Sequence, residues 1–330
     1  MSGAFILGCA GPALMPDEAA FFREADPWGF ILFARNIEDK AQVSALTSAL
    51  REAVGRDAPI LIDQEGGRVQ RMGPPIWSQF LPALDQCDAA TDPERAIYLR
   101  SRLIAHELVE IGIDVNCAPL GDMAGQGTHP RLMNRCYGRT PGDVVSRARA
   151  VAEGQLAGGV LSVLKHIPGH GSATKDSHVD LPRVTKTAED LHAHDFAPFK
   201  ALGDIPMGMT AHVVFTAYDR DNPATTSPAM HRVIREEIGF GGLLMTDDLS
   251  MEALKGTVPD RCKAALAAGC DLILHCNGEL AEMEDVAAFG PMTAEAERRA
   301  AAALAQRQAP DDVDISALRA ELRGLIEEAA

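Results

Sequence analysis

The chain has no long apolar run and few basic residues. No hydrophobic stretch among its 330 residues approaches the roughly 18 needed to cross a membrane, and the N-terminus lacks the basic region of a signal peptide. Lysine and arginine number 31 against 47 acidic residues, a net charge of −16. Such a surface repels nucleic-acid phosphates rather than neutralising them. We therefore expect neither a membrane nor a nucleic-acid partner.

Paired cysteines are also missing. The seven cysteines are odd in number, and no two of them form a Cys-x-x-Cys pair. Several lie inside apolar runs, which indicates buried free thiols in a reducing compartment. The sequence therefore predicts a cytoplasmic protein, and its composition of 46% hydrophobic and 24% charged residues is that of an ordinary globular chain.

Short apolar runs recur along the chain. They are too short and too continuously apolar for strands with one face in solvent, and are typical of strands buried on both faces of a parallel sheet. The eight runs are Ala4–Cys9, Gly29–Phe33, Pro59–Ile62, Ile113–Cys117, Val160–Leu164, Met207–Thr210, Gly242–Thr246 and Asp271–His275.

Helical patterns separate these runs. Val43, Leu46, Leu50 and Val54 recur at helical spacing, and about 293–330 is rich in alanine and glutamate. Strand, loop and helix repeated about eight times predict a single (β/α)8 barrel domain over 1–330. An open doubly wound sheet is the alternative, but the usual Gly-x-Gly-x-x-Gly after the first strand is absent. Helix start signals are Asp92-Pro93, Thr140-Pro141, Ser227-Pro228, and Thr187 with Asp190 three residues on.

Polar residues follow most of the predicted strands. In a barrel such residues meet at the C-terminal face, where the chemistry of this fold gathers. Unpaired buried charges are costly, so this pattern indicates a site rather than a folding requirement. The residues are Asp63, Asn116 and Asp122, Lys165-His166, His212, Asp247-Asp248, and His275 with Asn277.

One segment is unusually rich in ionisable groups. The fourteen residues from Lys165 to His178 include three histidines, two lysines and one aspartate, and Pro168, Gly169 and Gly171 interrupt any regular helix or central strand. A loop of this kind leaving a buried strand suits acid–base chemistry.

The residues alone leave two kinds of chemistry open. One is a carboxylate nucleophile with a separate proton donor; the other is a metal site built from histidines and a carboxylate. Strong metal patterns such as His-x-His at a strand end or His-Glu-x-x-His are missing. The candidate ligands of the metal alternative are His166, His170, His178 and His212.

Three motifs resemble those of family 3 glycoside hydrolases of the β-N-acetylglucosaminidase branch. They appear in the family's order and extend the resemblance over essentially the whole chain. The branch includes single-domain cytoplasmic enzymes of Gram-negative bacteria that act in peptidoglycan recycling. The motifs are Asp63-Gln-Glu-Gly-Gly-Arg-Val-Gln-Arg71, Lys165-His-Ile-Pro-Gly-His-Gly171 with Asp176-Ser-His178 and Pro182, and Thr246-Asp-Asp-Leu-Ser-Met251.

The resemblance implies a (β/α)8 barrel and a role for each matching residue. Asp247 corresponds to the nucleophile of a retaining β-N-acetylglucosaminidase, and His178, partnered by Asp176, to its acid–base group. His170 is expected to support the loop, and Asp248 to cap a following helix. The residues that would hold the sugar are Asp63, Arg71, Arg135, Lys165 and His166.

The resemblance also implies partners and leaves alternatives. The substrate would be a small carbohydrate, such as an anhydro-muropeptide with a terminal β-linked N-acetylglucosamine, and the enzyme a monomer without metal or cofactor. Because a histidine acid–base does not repel phosphate, a phosphorylase using the same residues is an alternative, beside the metal-dependent hydrolase and a sugar-binding protein. Ile167 and Cys136-Tyr137 depart from the family's common pattern.

Overall fold

Eight parallel strands close into a barrel in the computed structural model, which describes residues 1–173 and 181–327. Neighbours around the barrel follow chain order, and the last strand pairs with the first. Each strand overlaps one of the eight predicted apolar runs, so the predicted barrel fold is confirmed. The strands are β1 (Gly3–Gly8), β2 (Pro27–Leu32), β3 (Ile60–Ile62), β4 (Val115–Asn116), β5 (Leu161–Ile167), β6 (Met207–Thr210), β7 (Leu243–Asp248) and β8 (Leu272–His275).

Helices surround the barrel. In the described residues the α-helices are α1 (Pro16–Ala25), α2 (Lys40–Val54), α3 (Ala83–Ala89), α4 (Pro93–Val109), α5 (Pro130–Met133), α6 (Pro141–Ala157), α7 (Ala188–Asp190), α8 (Ala197–Ala201), α9 (Pro228–Arg232), α10 (Val258–Ala268), α11 (Leu280–Ala287), α12 (Ala294–Leu304) and α13 (Ile315–Glu327). π-helical segments Leu191–Asp195 and Val233–Ile238 continue α7 and α9, and 3₁₀ turns cover Ala34–Asn36 and Ala224–Thr226. Short antiparallel strands Gln64–Gly66 and Val69–Gln70 form a hairpin after β3, and Arg183–Val184 pairs with Val214–Phe215.

The predicted helix starts are also found. Asp92 accepts a hydrogen bond from the Arg95 backbone N–H at 3.0 Å, and Thr140 and Ser227 cap α6 and α9 in the same way. Each satisfies a backbone donor that the first helical turn leaves unpaired. Thr187 caps α7 through the Asp190 N–H.

The C-terminal region, expected to be helical over about 293–330, is interrupted once in the described residues. Two helices, α12 and α13, are separated by an irregular stretch that contains Pro310. Proline disfavours a helical conformation in the residue before it. Asp311, also in this stretch, forms an ion pair of 2.6 Å with the buried Arg102. The helix is therefore interrupted where the chain crosses α4. Within the described residues no helix is both long and apolar enough to cross a membrane.

Alternation along the strands separates two apolar layers. In β1, Ala4 and Ile6 belong to the cluster that fills the barrel, whereas Phe5 and Leu7 pack outward among helix residues. This follows from the two-residue period of a strand. The interior layer is apolar, with inward residues Ile31, Leu61, Val115, Leu161, Val163, Met207, Met209, Leu243, Met245, Leu272 and Leu274.

The same alternation selects the side chains above this layer. Asp63 lies two residues after the inward-facing Leu61, Lys165 two after Val163, and Asp247 two after Met245. Strand β5 continues through Lys165 and His166 and ends just before Pro168, so these two residues lie at the strand end and the interruption of regular structure begins at the proline. Charged groups therefore form the top of an apolar barrel.

Asp271 offers a test of the packing at the opposite end. Its buried carboxylate is paired with Arg235 and Arg299, each at 2.8 Å, and accepts a 2.9 Å hydrogen bond from the Leu244 N–H. Because Asp271→Ala leaves two guanidinium groups without this partner, we expect the free energy of unfolding in urea to fall by about 3 kcal/mol or more. Glu110→Gln, which breaks an exposed pair with Lys40, should cost under about 1 kcal/mol. Equal losses in the two variants would contradict this account.

Candidate active site

A cavity of about 360 Å³ opens at the C-terminal ends of the strands. Six of the eight predicted site residues line it, and the other two, Asp176 and His178, lie outside the described residues. Apolar side chains of the barrel's interior layer, including Ile31, Met209 and Leu274, also line the cavity. The predicted residues brought together here are Asp63, Arg71, Arg135, Lys165, His166 and Asp247.

Lys165 is the centre of a buried charge network. Its side chain is 2% exposed, and its Nζ lies 2.8 Å from Asp63 Oδ1 and 2.7 Å from Glu65 Oε1. Asp63 also pairs with Arg71 at 3.0 Å through its other oxygen. A lysine so fully buried is tolerated only with such partners. The network joins the end of β5 to the end of β3 and the hairpin that follows.

Glu65 is a site residue that the sequence analysis did not single out. It holds Arg135 in a bidentate pair, with Nε–Oε2 at 2.9 Å and Nη2–Oε1 at 2.8 Å. Its position two residues after Asp63 could have indicated this role, because the alternation of side chains along an extended chain places both carboxylates on the same side. The following Gly66 has a φ of +88°, and an added Cβ would collide with the Arg100 guanidinium, so this turn requires glycine.

The network keeps all of its members charged. Burial alone would raise the pKa of Asp63, but Lys165 and Arg71 outweigh it and hold the value well below its usual range. Burial likewise opposes ionisation of Glu65, yet Arg135 and Lys165 lower its pKa to about 2. The pKa of Lys165 is raised, because Asp63 and Glu65 outweigh its desolvation. The cavity thus presents fixed charged donors and acceptors at neutral pH.

Asp122 orients His166. Its Oδ2 lies 2.7 Å from His166 Nδ1, and its Oδ1 accepts a 2.6 Å hydrogen bond from the His170 backbone N–H. A carboxylate next to Nδ1 favours the neutral tautomer that carries its proton on Nδ1. The other ring nitrogen, Nε2, is then unprotonated. Asp122 therefore fixes both the ring at the end of β5 and the backbone that follows it. The His170 side chain itself lines the cavity, and its expected supporting role stays a prediction.

Asp247, the predicted nucleophile, is an ionised carboxylate in the cavity. It lines the cavity near the end of β7, and its Oδ1 accepts a 2.8 Å hydrogen bond from the Asp248 N–H. Burial would raise its pKa, but His212, His166, this hydrogen bond and Lys165 outweigh burial and lower it. The group is therefore an anion at neutral pH, as attack on an electrophilic carbon requires.

Asp248 does not cap a helix, contrary to expectation. Its carboxylate accepts hydrogen bonds from the Ser250 N–H at 3.0 Å, the Ser250 hydroxyl at 2.6 Å and the Cys276 N–H at 3.2 Å. The next helix begins only at Val258 and is capped by Thr257. Asp248 instead stabilises the turn after β7 and ties it to the chain after β8.

His212 and Asn277 were expected at the rim of the site. His212 is instead fully buried, with Nδ1 2.7 Å from Thr225 Oγ1 and Nε2 3.0 Å from the Asp248 carbonyl oxygen. Asn277 donates to Glu282 at 2.7 Å in a neighbouring depression.

Over residues 1–173 and 181–327, no group of three or more His, Cys, Asp or Glu side chains could hold a metal ion.

Fold and cavity together are those of a barrel protein with charged donors and an ionised carboxylate at the C-terminal ends of its strands. Residues 20–305 match the model of the glycosyl hydrolase family 3 N-terminal domain. The chain belongs to this family and is a glycoside hydrolase.

Similar proteins agree with this assignment. A β-hexosaminidase of Tolumonas auensis is 36% identical over 289 residues, covering 83% of each chain, and one of Alkalilimnicola ehrlichii is 37% identical, covering 83% of this chain and 81% of the relative. Among solved structures, NagZ from Neisseria gonorrhoeae in complex with N-trifluoroacetyl-D-glucosamine superposes with a TM-score of 0.87 at 28% identity, covering 100% of this chain and 98% of that one.

Lys165→Met tests the charge network through stability. Since Asp63 and Glu65 would face each other without the shared cation, we expect a loss of about 3 kcal/mol in the free energy of unfolding near neutral pH. Both carboxyls have depressed pKa values in the folded wild type, so their contribution is present above their unfolded pKa and disappears on acidification. The loss should therefore shrink as pH falls from 4.5, the ordinary value of Glu65, towards 2.

Urea unfolding of both proteins across this pH range measures the effect. Lys40→Met is the matched control, because Lys40 forms an exposed pair with Glu110. It should cost under about 1 kcal/mol. A Lys165→Met penalty that is the same at all pH values would show that packing, not charge, explains the loss.

Proposed function

We propose that the protein is a retaining exo-β-N-acetylglucosaminidase. The observation that carries the proposal is that the ionised Asp247 lines the same cavity as Asp63, Lys165 and His166, the residues that the family resemblance assigns to sugar binding. The relatives named β-hexosaminidase, and the similarity to a structure complexed with N-trifluoroacetyl-D-glucosamine, support an N-acylated sugar as the ligand.

The charge network suits the recognition of a neutral sugar. Asp63 accepts hydrogen bonds from sugar hydroxyls, while Lys165, Arg71 and Arg135 donate to hydroxyl and amide oxygens. Because each of these side chains is already held by an ion pair, little further order is required on binding. The apolar lining at Met209 and Leu274 offers a surface for the non-polar face of the sugar and its acetyl methyl group.

Asp247 would form the covalent intermediate. Its carboxylate attacks the anomeric carbon, the bond to the leaving oxygen breaks, and a glycosyl-enzyme results; water then attacks the same carbon and releases the sugar with its original configuration. The Asp248 N–H and the surrounding positive charge keep the carboxylate ionised before attack. This environment also makes Asp247 a good leaving group in the second step.

His178 would transfer the proton in both steps, partnered by Asp176. An imidazolium donates to the leaving oxygen, and the neutral ring then takes a proton from the attacking water. A histidine, with a usual pKa near 6.5, can do both near neutral pH. The assignment rests on the sequence motif, since both residues fall between 174 and 180.

The substrate we propose is an anhydro-muropeptide that carries a terminal β-linked N-acetylglucosamine. The enzyme, acting as a monomer, would release this sugar in the cytoplasm during peptidoglycan recycling. The resemblance to the single-domain peptidoglycan-recycling branch supports the aglycone. The seven cysteines, all in the described part of the chain, are buried and free, which supports a reducing compartment.

Asp247→Ala tests the nucleophile. Because the variant cannot form the glycosyl-enzyme, kcat on an aryl β-N-acetylglucosaminide should fall on the order of 10⁴-fold. Circular dichroism should show an unchanged fold. Asp204→Asn, at an exposed carboxylate paired with Arg149, is the control and should keep wild-type kcat. Near-normal turnover by the Asp247 variant would sink the assignment.

Three further measurements on the wild type check the chemistry. Proton NMR of the first product should show the β anomer, as retention requires. The rate should be unchanged by added inorganic phosphate; a phosphate-dependent rate with sugar 1-phosphate as product would identify a phosphorylase instead. Mass spectrometry after reaction with a slow fluorinated substrate should locate the sugar on Asp247.

A further inference from the structure

Asp195 is a buried carboxylate that the proposed mechanism does not use. It ends the π-helical segment Leu191–Asp195, and its side chain is 3% exposed. It is not among the residues that line the cavity. Burying an ionised carboxylate is costly unless its oxygens are well paired, so its partners indicate what it holds in place.

The two oxygens of Asp195 have partners on opposite sides of one chain segment. Oδ1 accepts a hydrogen bond from the Ser172 hydroxyl, and Oδ2 is paired with Lys186 Nζ at 2.7 Å. Ser172 precedes residues 174–180 and Lys186 follows them. One carboxylate therefore joins the chain that enters this segment to the chain that leaves it.

The entering chain is fixed at further points. The His170 N–H donates to Asp122, and the Gly171 carbonyl accepts a 2.6 Å hydrogen bond from the Thr128 hydroxyl. Gly169 packs so closely that an added Cβ would lie 3.1 Å from the Asp195 carbonyl oxygen. Asp195 therefore holds Ser172 next to backbone that is already anchored to the site.

The leaving chain is fixed by strand pairing. The Val214 N–H donates to the Pro182 carbonyl at 2.9 Å, and the Thr216 N–H to the Val184 carbonyl at 3.0 Å. These bonds attach it to the loop after β6, whereas the entering chain is attached near β4 and β5. The Asp195 carboxylate links these two separately anchored parts.

We propose that Asp195 is a positioning residue for proton transfer in this enzyme. By fixing Ser172 and Lys186 relative to each other, it sets the span of the chain that carries Asp176 and His178. The inference rests on the proposed function, in which those two residues form the acid–base pair. A general acid contributes only when held at the leaving oxygen, so a changed span weakens this step while sugar binding and the nucleophile remain intact.

The test is the dependence of kcat/KM on the leaving group in Asp195→Asn. This ratio reports the first step, in which a poor leaving group such as phenol needs the proton and 2,4-dinitrophenol does not. We expect a fall of about 100-fold on the phenyl β-N-acetylglucosaminide and less than about 3-fold on the dinitrophenyl one. The pH limb assigned to the acid should also become shallower on the phenyl substrate.

Matched variants separate this role from a structural one. Ser172→Ala and Lys186→Met each remove one half of the link and should show the same selectivity for the poor leaving group. Asp204→Asn should change neither substrate. An equal change on both substrates in the Asp195 variant, with an intact fold by circular dichroism, overturns the proposal.

Two other results remain decisive. If Asp195→Asn fails to fold, the Ser172 and Lys186 variants, which leave the buried carboxylate in place, decide by the same ratio. If the wild type cleaves neither substrate, the proposed function is wrong. Cleavage by the wild type without any selective loss in the three variants rejects only the role of Asp195.

Discussion

The site depends on one buried cation. Lys165, at the end of β5, is held between Asp63 and Glu65, and each of these carboxylates in turn fixes an arginine. Lys165 and Glu65 in particular are too buried to carry a charge without partners, so each requires the other members of the network. Because the carboxylates follow β3 and the lysine belongs to β5, the network forms only when the barrel brings these strands together. The barrel fold therefore assembles the charged group that lines the cavity.

Strand alternation gives this arrangement its geometry. The residues below Lys165 and Asp247 on the same strand faces, Val163 and Met245, are apolar and fully buried. They exclude water beneath the site, and electrostatic interactions above them are correspondingly strong. The pKa of Asp247 is nevertheless lowered, because His212, His166, the hydrogen bond from the Asp248 N–H and Lys165 together outweigh the effect of burial. An apolar interior and an ionised carboxylate above it are compatible for this reason.

The sequence predicted most of the fold because strands buried on both faces of a parallel sheet appear as short, continuous apolar runs. The helix starts marked by proline after Asp92, Thr140 and Ser227 were also found in the structure. It predicted the cavity residues because family motifs record what contacts a ligand. Asp122 was predicted among the polar residues at strand ends, but its contact with His166 was not, because contacts between groups distant in sequence leave no local pattern. Glu65 lies in the first motif, two residues after Asp63, but its pairing with Arg135 was not predicted. His212 was placed at the rim for the same reason: strand-end position was visible, but its burial against Thr225 was not.

The histidine-rich segment that follows β5 has two physically different parts. His166 is on the strand, and the carboxylate that orients its ring also receives the His170 N–H, so the first part shares the rigidity of the barrel. Ser172, further along, is instead held by Asp195, which belongs to neither the barrel strands nor the residues that line the cavity. Sugar recognition and proton transfer would then be supported by different carboxylates, Asp63 with Glu65 for one and Asp195 for the other.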